Sequence, residues 1–485
     1  MFESICGCEG SSVIQLNKQS RILRVRWALR DSRLVKNAAI ALIQPLVAMV
    51  CVFGAYRILT HAIGIEGVGL WSLLVAGSLV ARLGDVSGSG GLARFAAVEL
   101  SKPLLENAVV RYINTVTLTT IAFNGLAAAL LWLVAGFAIE RFVGHERVGE
   151  ARSLMPFAIV GTVFLSPIAA TVCSAIDGTQ RVDQRAILVS CSSVVLLFAS
   201  WLLIPRYGGI GFGLAQILQQ LIVIIVGWTV LRRRIPHLGP FPNSWSGSVF
   251  RETVGFGMRL QATGLASLLT EPLAKLILSQ WGGLSFVGYY EFALRFLNQA
   301  RSLIAAGAQP LVAAAAGVGD DVSKLDAMLD KSTKVAILGG ISVCLGAIAF
   351  SPIFSYLMMG QIRREFIYVI CILGFGFGVN VLSIPFYLIA LGRGVMRWNL
   401  ASQIQAAVVI IMLGVPLGFK FGGYGVVASL AAALVFSSAF VLAGNGHDLK
   451  NIEVVKRNSK WMVASVVLMF LACCAGAVLA LEFVS

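Results

Sequence analysis

The chain has 485 residues, 58% of them hydrophobic and only 13% charged, against about 25% charged in a soluble globular protein. Its mean hydropathy is +0.86 and its net charge is +15. These values exclude a soluble globular fold. The basic residues sit in short stretches between apolar runs, which points to membrane loops and away from nucleic acid.

Residues 1–36 are polar and then strongly basic, "NKQSRILRVRWALRDSRLVK", with no cleavable signal. They read as a basic cytoplasmic leader with a surface-lying segment. Thirteen apolar runs follow, near 38–60, 68–97, 111–138, 153–176, 185–205, 210–231, 253–280, 285–315, 334–358, 365–391, 398–418, 424–444 and 461–482. Each is close to the ~20 residues that cross a hydrocarbon core of ~30 Å. This predicts an all-α polytopic membrane protein of about 12–14 transmembrane helices. A membrane barrel would instead show short alternating segments.

With the leader inside, the inner loops are 98–110, 177–184, 232–252, 316–333, 392–397 and 445–460. They hold Arg232, Arg233, Arg234, Arg393, Arg397, Lys450, Lys456, Arg457 and Lys460. The outer side keeps fewer cations, among them Arg141, Arg147, Arg206, Arg363 and Arg364. The bias supports a cytoplasmic N-terminus.

The chain also repeats. Under a shift of 219 residues, "RILTHAIGIEGVG" (57–69) lies on "LILSQWGGLSFVG" (276–288). Ile58 meets Ile277, Leu59 meets Leu278, Thr60 meets Ser279, Gly64 meets Gly283, Val68 meets Val287 and Gly69 meets Gly288. Arg82 falls on Arg301. Apolar composition alone raises such matches, but here a turn and two glycines stay in register. The expected organisation is a six-helix lobe at 37–231, a cytoplasmic linker at 232–252, a second six-helix lobe at 253–444, and an extra helix and tail at 445–485. An even number of spans per half makes the repeats parallel, with a substrate path around a central cavity between them.

Ionisable groups inside a bilayer normally face a cavity or a partner, because burying them in lipid costs ~2.5–3.5 kcal/mol each on insertion scales. Here they cluster on the first two spans of each half. Arg82 and Asp85 lie three apart, and Glu271 and Lys275 four apart, so each couple either neutralises itself or faces a cavity. Glu291, Arg295 and Asn298 share one helical face, flanked by Arg301. A water-filled, net-cationic cavity explains that stripe better than lipid does. Arg82, Lys275, Arg295, Asn298 and Arg301 are therefore the candidate anion-binding residues, and Asp85, Glu271 and Glu291 the candidate coupling or ion sites. Gln44, Asn114, Asn124, Asn380 and Gln403, with Gln216, Gln219 and Gln220, read first as ties between helices. Trp71, Tyr289 and Tyr290 read first as an interfacial aromatic belt.

Other chemistry finds little support. Nine cysteines form no C-x-x-C pair, most of them lie in apolar runs, and four histidines make a metal site a poor reading. The G-x-G-x-x-A beginning at Gly88 follows an apolar run of helical length, not a short strand, so it is no dinucleotide turn. No P-loop, H-E-x-x-H or usable G-x-S-x-G occurs, and the expectation is a protein that is not an enzyme and has no cofactor.

The span plan and the stretch "GIEGVGLWSLLVAGSLVARLGDVSGSGGLARFAAVE" (64–99) resemble the polysaccharide-exporter flippases. These include the O-antigen flippases of the multidrug/oligosaccharidyl-lipid/polysaccharide exporter superfamily. The family's glycine turn, its "yGlwsl" helix start, its Asp-Gly-type stretch and its inner Arg correspond to Gly64 to Trp71, Gly84–Asp85 and Arg94. The order here is "LGDVSG", whereas family members commonly run Asp-Leu-Gly. Thirteen spans also differ from the usual twelve or fourteen.

The resemblance implies flipping of an undecaprenyl-pyrophosphate-linked oligosaccharide across the bacterial inner membrane by alternating access, for O-antigen, lipopolysaccharide or other surface polysaccharide. A proton or sodium gradient is the implied candidate drive. The implied partners are the lipid-linked oligosaccharide and membrane lipid, with a polysaccharide polymerase and glycosyltransferases as candidates. A multidrug or small-molecule antiporter and a peptidoglycan-precursor flippase share the fold and stay open as alternatives. A membrane glycan polymerase is the enzymatic alternative, although the longest outer loop expected, about 139–152, is short for one.

Overall fold

The computed structural model describes residues 44–78, 92–93, 95–96, 106–142, 145–179, 181–235, 237–308, 311–312, 315, 322–448 and 452–482. The leader, Arg82, Asp85 and Arg94 lie outside the described residues. Every regular element among the described residues is helical. In lipid no water satisfies the backbone, so a helix that bonds its own peptide groups is the form these apolar runs can take.

The first lobe's helices are α1 (Gln44–Ser78), α2 (Glu106–Phe142), α3 (Val148–Gly178), α4 (Val182–Tyr207) and α5 (Gly209–Arg234). Residues 235–246 lead to α6 (Gly247–Trp281) and α7 (Gly283–Ala308). Then come α8 (Val322–Met359), α9 (Arg364–Leu382), the short α10 (Ile384–Gly392), α11 (Arg397–Asp448) and α12 (Ile452–Glu482). A π-helical stretch, Ile159–Leu165, interrupts α3 between Pro156 and Pro167. Each proline lacks an N–H and removes one ladder bond, so the wider turn forms where the regular ladder is already broken.

Among the described residues nine helices are long and apolar enough to cross a membrane. Two of them are pairs of arms. α1 turns at Gly64 (φ 71°), and α11, with 52 residues, breaks at Gly422 (φ 60°). At 1.5 Å per residue, 52 residues would run for about 78 Å, well beyond one bilayer. α6 and α7, of 35 and 26 residues, are also of crossing length but carry the charges expected from the sequence. Several helices run past the apolar windows into expected loops: α2 begins at Glu106, α8 at Val322 and α12 at Ile452. Hydropathy marks the hydrocarbon layer, whereas the backbone ladder continues into the headgroup region.

The offset of 219 residues reappears in space. Gly64 and Gly283 both take positive φ (71° and 74°), a conformation that strains a residue with a Cβ. Five residues beyond each turn, the halves touch backbone to backbone. A Cβ at Gly69 would overlap the Leu284 carbonyl oxygen, and one at Gly288 would lie 2.5 Å from the Ile65 carbonyl oxygen. Two hydrogen bonds follow the same symmetry: Ser72 donates to Glu291 and Ser285 donates to Glu66, each across 219 residues. The register then slips. The later turn glycines, Gly208 and Gly422, are 214 apart, as loops of different length allow.

The core shows how the halves join. At the end carrying Gly64 and Gly283, one apolar cluster runs through both, including Tyr56, Trp71 and Phe212 with Phe292, Leu297 and Phe366. At the far end the core divides. Leu92, Ile113, Ile176 and Leu231 pack within the first half, and Leu325, Leu329, Phe386 and Ile389 within the second. The linker bridges this gap from the first half's side: Ile235 and Leu238 join its core, and the Trp228 indole donates to the Gly239 carbonyl at 3.1 Å. Around the outside, large apolar side chains such as Phe198, Leu338, Phe350 and Phe470 are exposed. An apolar exterior on this scale is a surface for lipid.

Trp71, Tyr289 and Tyr290 correct the expected aromatic belt. All three are buried in the shared core. Their helices run next to the plane where the repeats meet, so the faces that hydropathy places at an interface are covered by the other half.

Candidate functional site

The charge cluster is built by two helices joined at a tight turn. Gly282 and Gly283 fold α7 back on α6, and each helix presents a charged pair one turn apart. On α6, Lys275 Nζ lies 2.6 Å from Glu271 Oε1. The same amine reaches across to α7, 2.7 Å from Glu291 Oε2. On α7, the Arg295 guanidinium lies 2.5 Å from Glu291 Oε1. Glu291 also accepts a hydrogen bond from Ser72 Oγ at 2.7 Å, and Arg295 donates to Tyr56 Oη at 2.7 Å. Lys275 and Glu291 are 1% and 3% exposed, so both charges are taken fully out of solvent.

Two carboxylates and two cations balance within this cluster. A buried pair repays its desolvation only when geometry and hydrogen bonds are complete, and here each oxygen of Glu291 has a donor. The expected self-pairing of Glu271 with Lys275 is present, but Lys275 is shared with α7, which spacing along one helix does not reveal. The cluster also spans the repeat boundary, since Tyr56 and Ser72 come from α1. Tyr56→Phe removes one acceptor of Arg295, and the expected loss is about 1.5–3 kcal/mol, the worth of a hydrogen bond to a charged group. Thermal unfolding in detergent checks it, with Tyr289→Phe as the control, a tyrosine outside the cluster.

A cavity of about 300 Å³ opens beside this cluster. Glu271, Asn298, Arg301, Asn380 and Gln403, with the hydroxyl residues Thr270, Tyr290 and Ser437, supply its polar lining. All its walls come from α6, α7, α9 and α11, so it lies within the second half. The central cavity expected between the halves is thus not where Asn298 and Arg301 converge, because α7 turns this face toward its own bundle. Arg301 donates through Nε to Asn380 Oδ1 at 2.8 Å, and Asn380 Nδ2 donates to Ser438 Oγ at 3.1 Å. Among the described residues Arg301 has no carboxylate partner, and its remaining N–H groups are free to meet an anion. Asn298 and Gln403 add neutral donors and acceptors of the kind that hold hydroxyl groups.

The sequence-predicted residues therefore divide. Lys275, Arg295 and Glu291 are engaged with one another, Asn298 and Arg301 line the cavity, and Glu271 belongs to both. Asn124 ties helically to the Thr120 carbonyl, and Asn114 donates to Ser244 of the linker at 2.9 Å. Tyr56 and Ser72 were not anticipated. For Ser72 a signal existed: the 219-residue register lays it on Glu291. Nothing in the sequence singles out Tyr56.

Residues 104–368 match the family described as "Polysaccharide biosynthesis protein". No curated protein sequence matches the chain. Among solved structures, an inward-facing multidrug resistance MATE family transporter of the MOP superfamily superposes with a TM-score of 0.73 at 14% identity, covering 86% of this chain and 99% of that one. The lipid II flippase MurJ, in an inward closed conformation, gives 0.66 at 13% identity, covering 93% and 100%. A MOP superfamily transporter from Pyrococcus furiosus gives 0.62 at 14% identity, covering 86% and 96%. At such identities the likeness is one of fold. A family match over more than half the residues, on a two-repeat helical fold of this kind, makes the chain a multi-pass membrane protein that belongs to the polysaccharide biosynthesis protein family.

Proposed function

We propose that the chain flips an undecaprenyl-pyrophosphate-linked oligosaccharide across the bacterial inner membrane by alternating access, for O-antigen, lipopolysaccharide or other surface polysaccharide. The carrying observation is Arg301, a cation without a described carboxylate partner, in a cavity whose other polar groups are amides, hydroxyls and Glu271, a carboxylate already paired with Lys275. With Glu271 neutralised by Lys275, Arg301 is the uncompensated charge of this lining, which suits phosphate and sugar together and disfavours the cationic drugs of the antiporter alternative. The family match supports a role in glycan synthesis.

In this reading 37–231 and 253–444 are the moving lobes, 232–252 the cytoplasmic linker and 445–485 an added helix. The basic loops support a cytoplasmic N-terminus, and on that orientation the divided end of the core faces inward and the Gly64–Gly283 end is closed outward. The lobes rock about that closed end, and the headgroup passes between leaflets while Arg301 neutralises its charge. Glu271, which reaches both the cavity and Lys275, is the candidate site for a coupling proton or sodium ion, with Asp85 as a further candidate in the first lobe. Arg82, Arg295 and Asn298 complete the substrate path, and Lys275, buried between Glu271 and Glu291, sets the charge of the cluster beside it.

The test is reconstitution in proteoliposomes with a fluorescent lipid-linked oligosaccharide. Arg301→Gln keeps a side chain able to reach Asn380 but removes the charge. The expected flipping rate is lower by about tenfold or more, from the loss of a charge-assisted hydrogen bond, with the thermal midpoint unchanged. Wild-type rates in Arg301→Gln would overturn the cavity assignment. Transport of a cationic dye in place of the glycolipid by the unaltered protein would overturn the substrate.

A further inference from the structure

A second cavity lies apart from the charge cluster. It is a groove of about 610 Å³ between α7, α8 and the start of α10. Leu303, Ile304 and Leu311 form one wall, and Val335 and Leu338 the other. A Cβ built at Gly307 would meet nothing within 4 Å, so that part of the groove is open space rather than packed core. Leu338 and Val335 are among the most exposed apolar residues of α8, so the groove opens sideways to the bilayer.

One end of the groove is different. There Lys331 and Ser332 join the lining. Lys331 sits just ahead of an uncharged stretch of α8, residues 335–359, which puts its amine at the level where the apolar layer begins. The nearby carboxylate is already engaged: Asp330 takes Lys334 at 2.8 Å, Arg457 at 2.8 Å and Asn458 at 2.8 Å. Lys331 is exposed and has no partner among the described residues. The groove is thus a hydrocarbon slot capped by one spare cation, complementary to a lipid whose chain is joined directly to phosphate. It also adjoins the anion-lining cavity. Ile304 in the groove and Arg301 in the cavity are one helical turn apart on α7.

We propose that this groove is the loading site for the isoprenyl chain of the lipid-linked substrate, with its phosphate held by Lys331. The proposal rests on the lipid-linked reading of the transport function. The chain lies along α7 and α8 within the bilayer, and the headgroup stands at the mouth of the path to Arg301. The tail never has to leave lipid, so only the polar part crosses the protein.

The experiment places the photoreactive residue p-benzoylphenylalanine at Leu338 in the full chain. The protein is reconstituted in phosphatidylethanolamine and phosphatidylglycerol containing a small fraction of a polyisoprenyl phosphate, then illuminated, and the adducts are identified by mass spectrometry. The expected result is a polyisoprenyl phosphate adduct enriched about tenfold or more over its share of the lipid, as a charge-assisted contact provides. Lys331→Gln removes most of that enrichment. Gly307→Phe, which fills open space, removes it as well while the thermal midpoint holds. Adducts that simply follow the lipid composition, or enrichment indifferent to Lys331→Gln, would overturn the proposal. Flipping measured on the same vesicles separates the two ideas. Flipping without enrichment removes the groove and leaves the transport reading, and enrichment without flipping does the reverse.

Discussion

Glu291→Gln is expected to lower stability by about 3–5 kcal/mol, the cost of removing one partner from a buried ion pair. Glu291 is the centre of the cluster: Ser72, Lys275 and Arg295 all bond its carboxylate. Without that charge, buried Lys275 keeps only the carboxylate of Glu271, itself partly open to the cavity, and Arg295 loses its carboxylate. The measurement is thermal unfolding in detergent, with the monodisperse fraction on gel filtration as a second readout. The control is the double variant Glu291→Gln with Lys275→Met, which restores charge balance. Its loss is expected to fall short of the sum of the single losses by up to ~3 kcal/mol, the scale of coupling between directly bonded residues. Additive losses would mean that the four charges do not act as one unit. The cluster bonds Tyr56 and Ser72 of the other half, so the loss also loosens the junction between the two halves.

Gly69→Ala is expected to block transport without unfolding either lobe. The added methyl would overlap the Leu284 carbonyl oxygen, and backbone cannot rotate away as a side chain can. Overpacking of this kind costs ~1–3 kcal/mol. Here it falls on the state in which the Gly64–Gly283 end is closed, and not on a state in which the halves have parted there. A shift of that size changes the balance of two states about 5- to 150-fold. Gly288→Ala, set against the Ile65 carbonyl, is the symmetry-related variant and is expected to act in the same direction. Distances between spin labels on Glu66 and Ser285, which are hydrogen-bonded in this state, report the parting directly. Unchanged distances together with normal flipping would sink the idea that this contact is the closed gate.

The two effects explain each other. The same register of 219 residues that brings Gly69 onto Leu284 and Gly288 onto Ile65 brings Ser72 onto Glu291 and Ser285 onto Glu66. Near a two-fold axis, equivalent residues of the two halves lie close together, so a polar residue in one half is satisfied by its own counterpart in the other. The pairing of serine with glutamate at both places lets one carboxylate, not two, stand at each contact and avoids like charges facing each other.

Much of the fold was legible. Apolar runs of crossing length leave little choice but helices, and the turn glycines at 64 and 283 announced the repeat because positive φ restricts the residue. The intrahelical couple Glu271–Lys275 was legible for the same local reason, a spacing of four. The bond from Lys275 to Glu291 was not, nor was the burial of Trp71, Tyr289 and Tyr290, because both depend on which face of a helix meets its neighbour. The sequence sets Glu291, Arg295 and Asn298 on one face of α7, flanked by Arg301. Yet the face is divided in space, its earlier half bonded to Tyr56 and Ser72 of α1 and its later half lining a cavity of the second lobe.

The sequence by itself determined the membrane class, the helical form and the register of the two halves, since each follows from the period of hydropathy and from backbone restrictions that act within a few residues. Only the tertiary structure decided which charges neutralise one another, at which end the halves join, and that Arg301 lines the cavity without a described carboxylate while Arg295 is paired with Glu291. Those outcomes depend on the rotation and tilt of whole helices, which the packing of every face settles together and no local pattern contains.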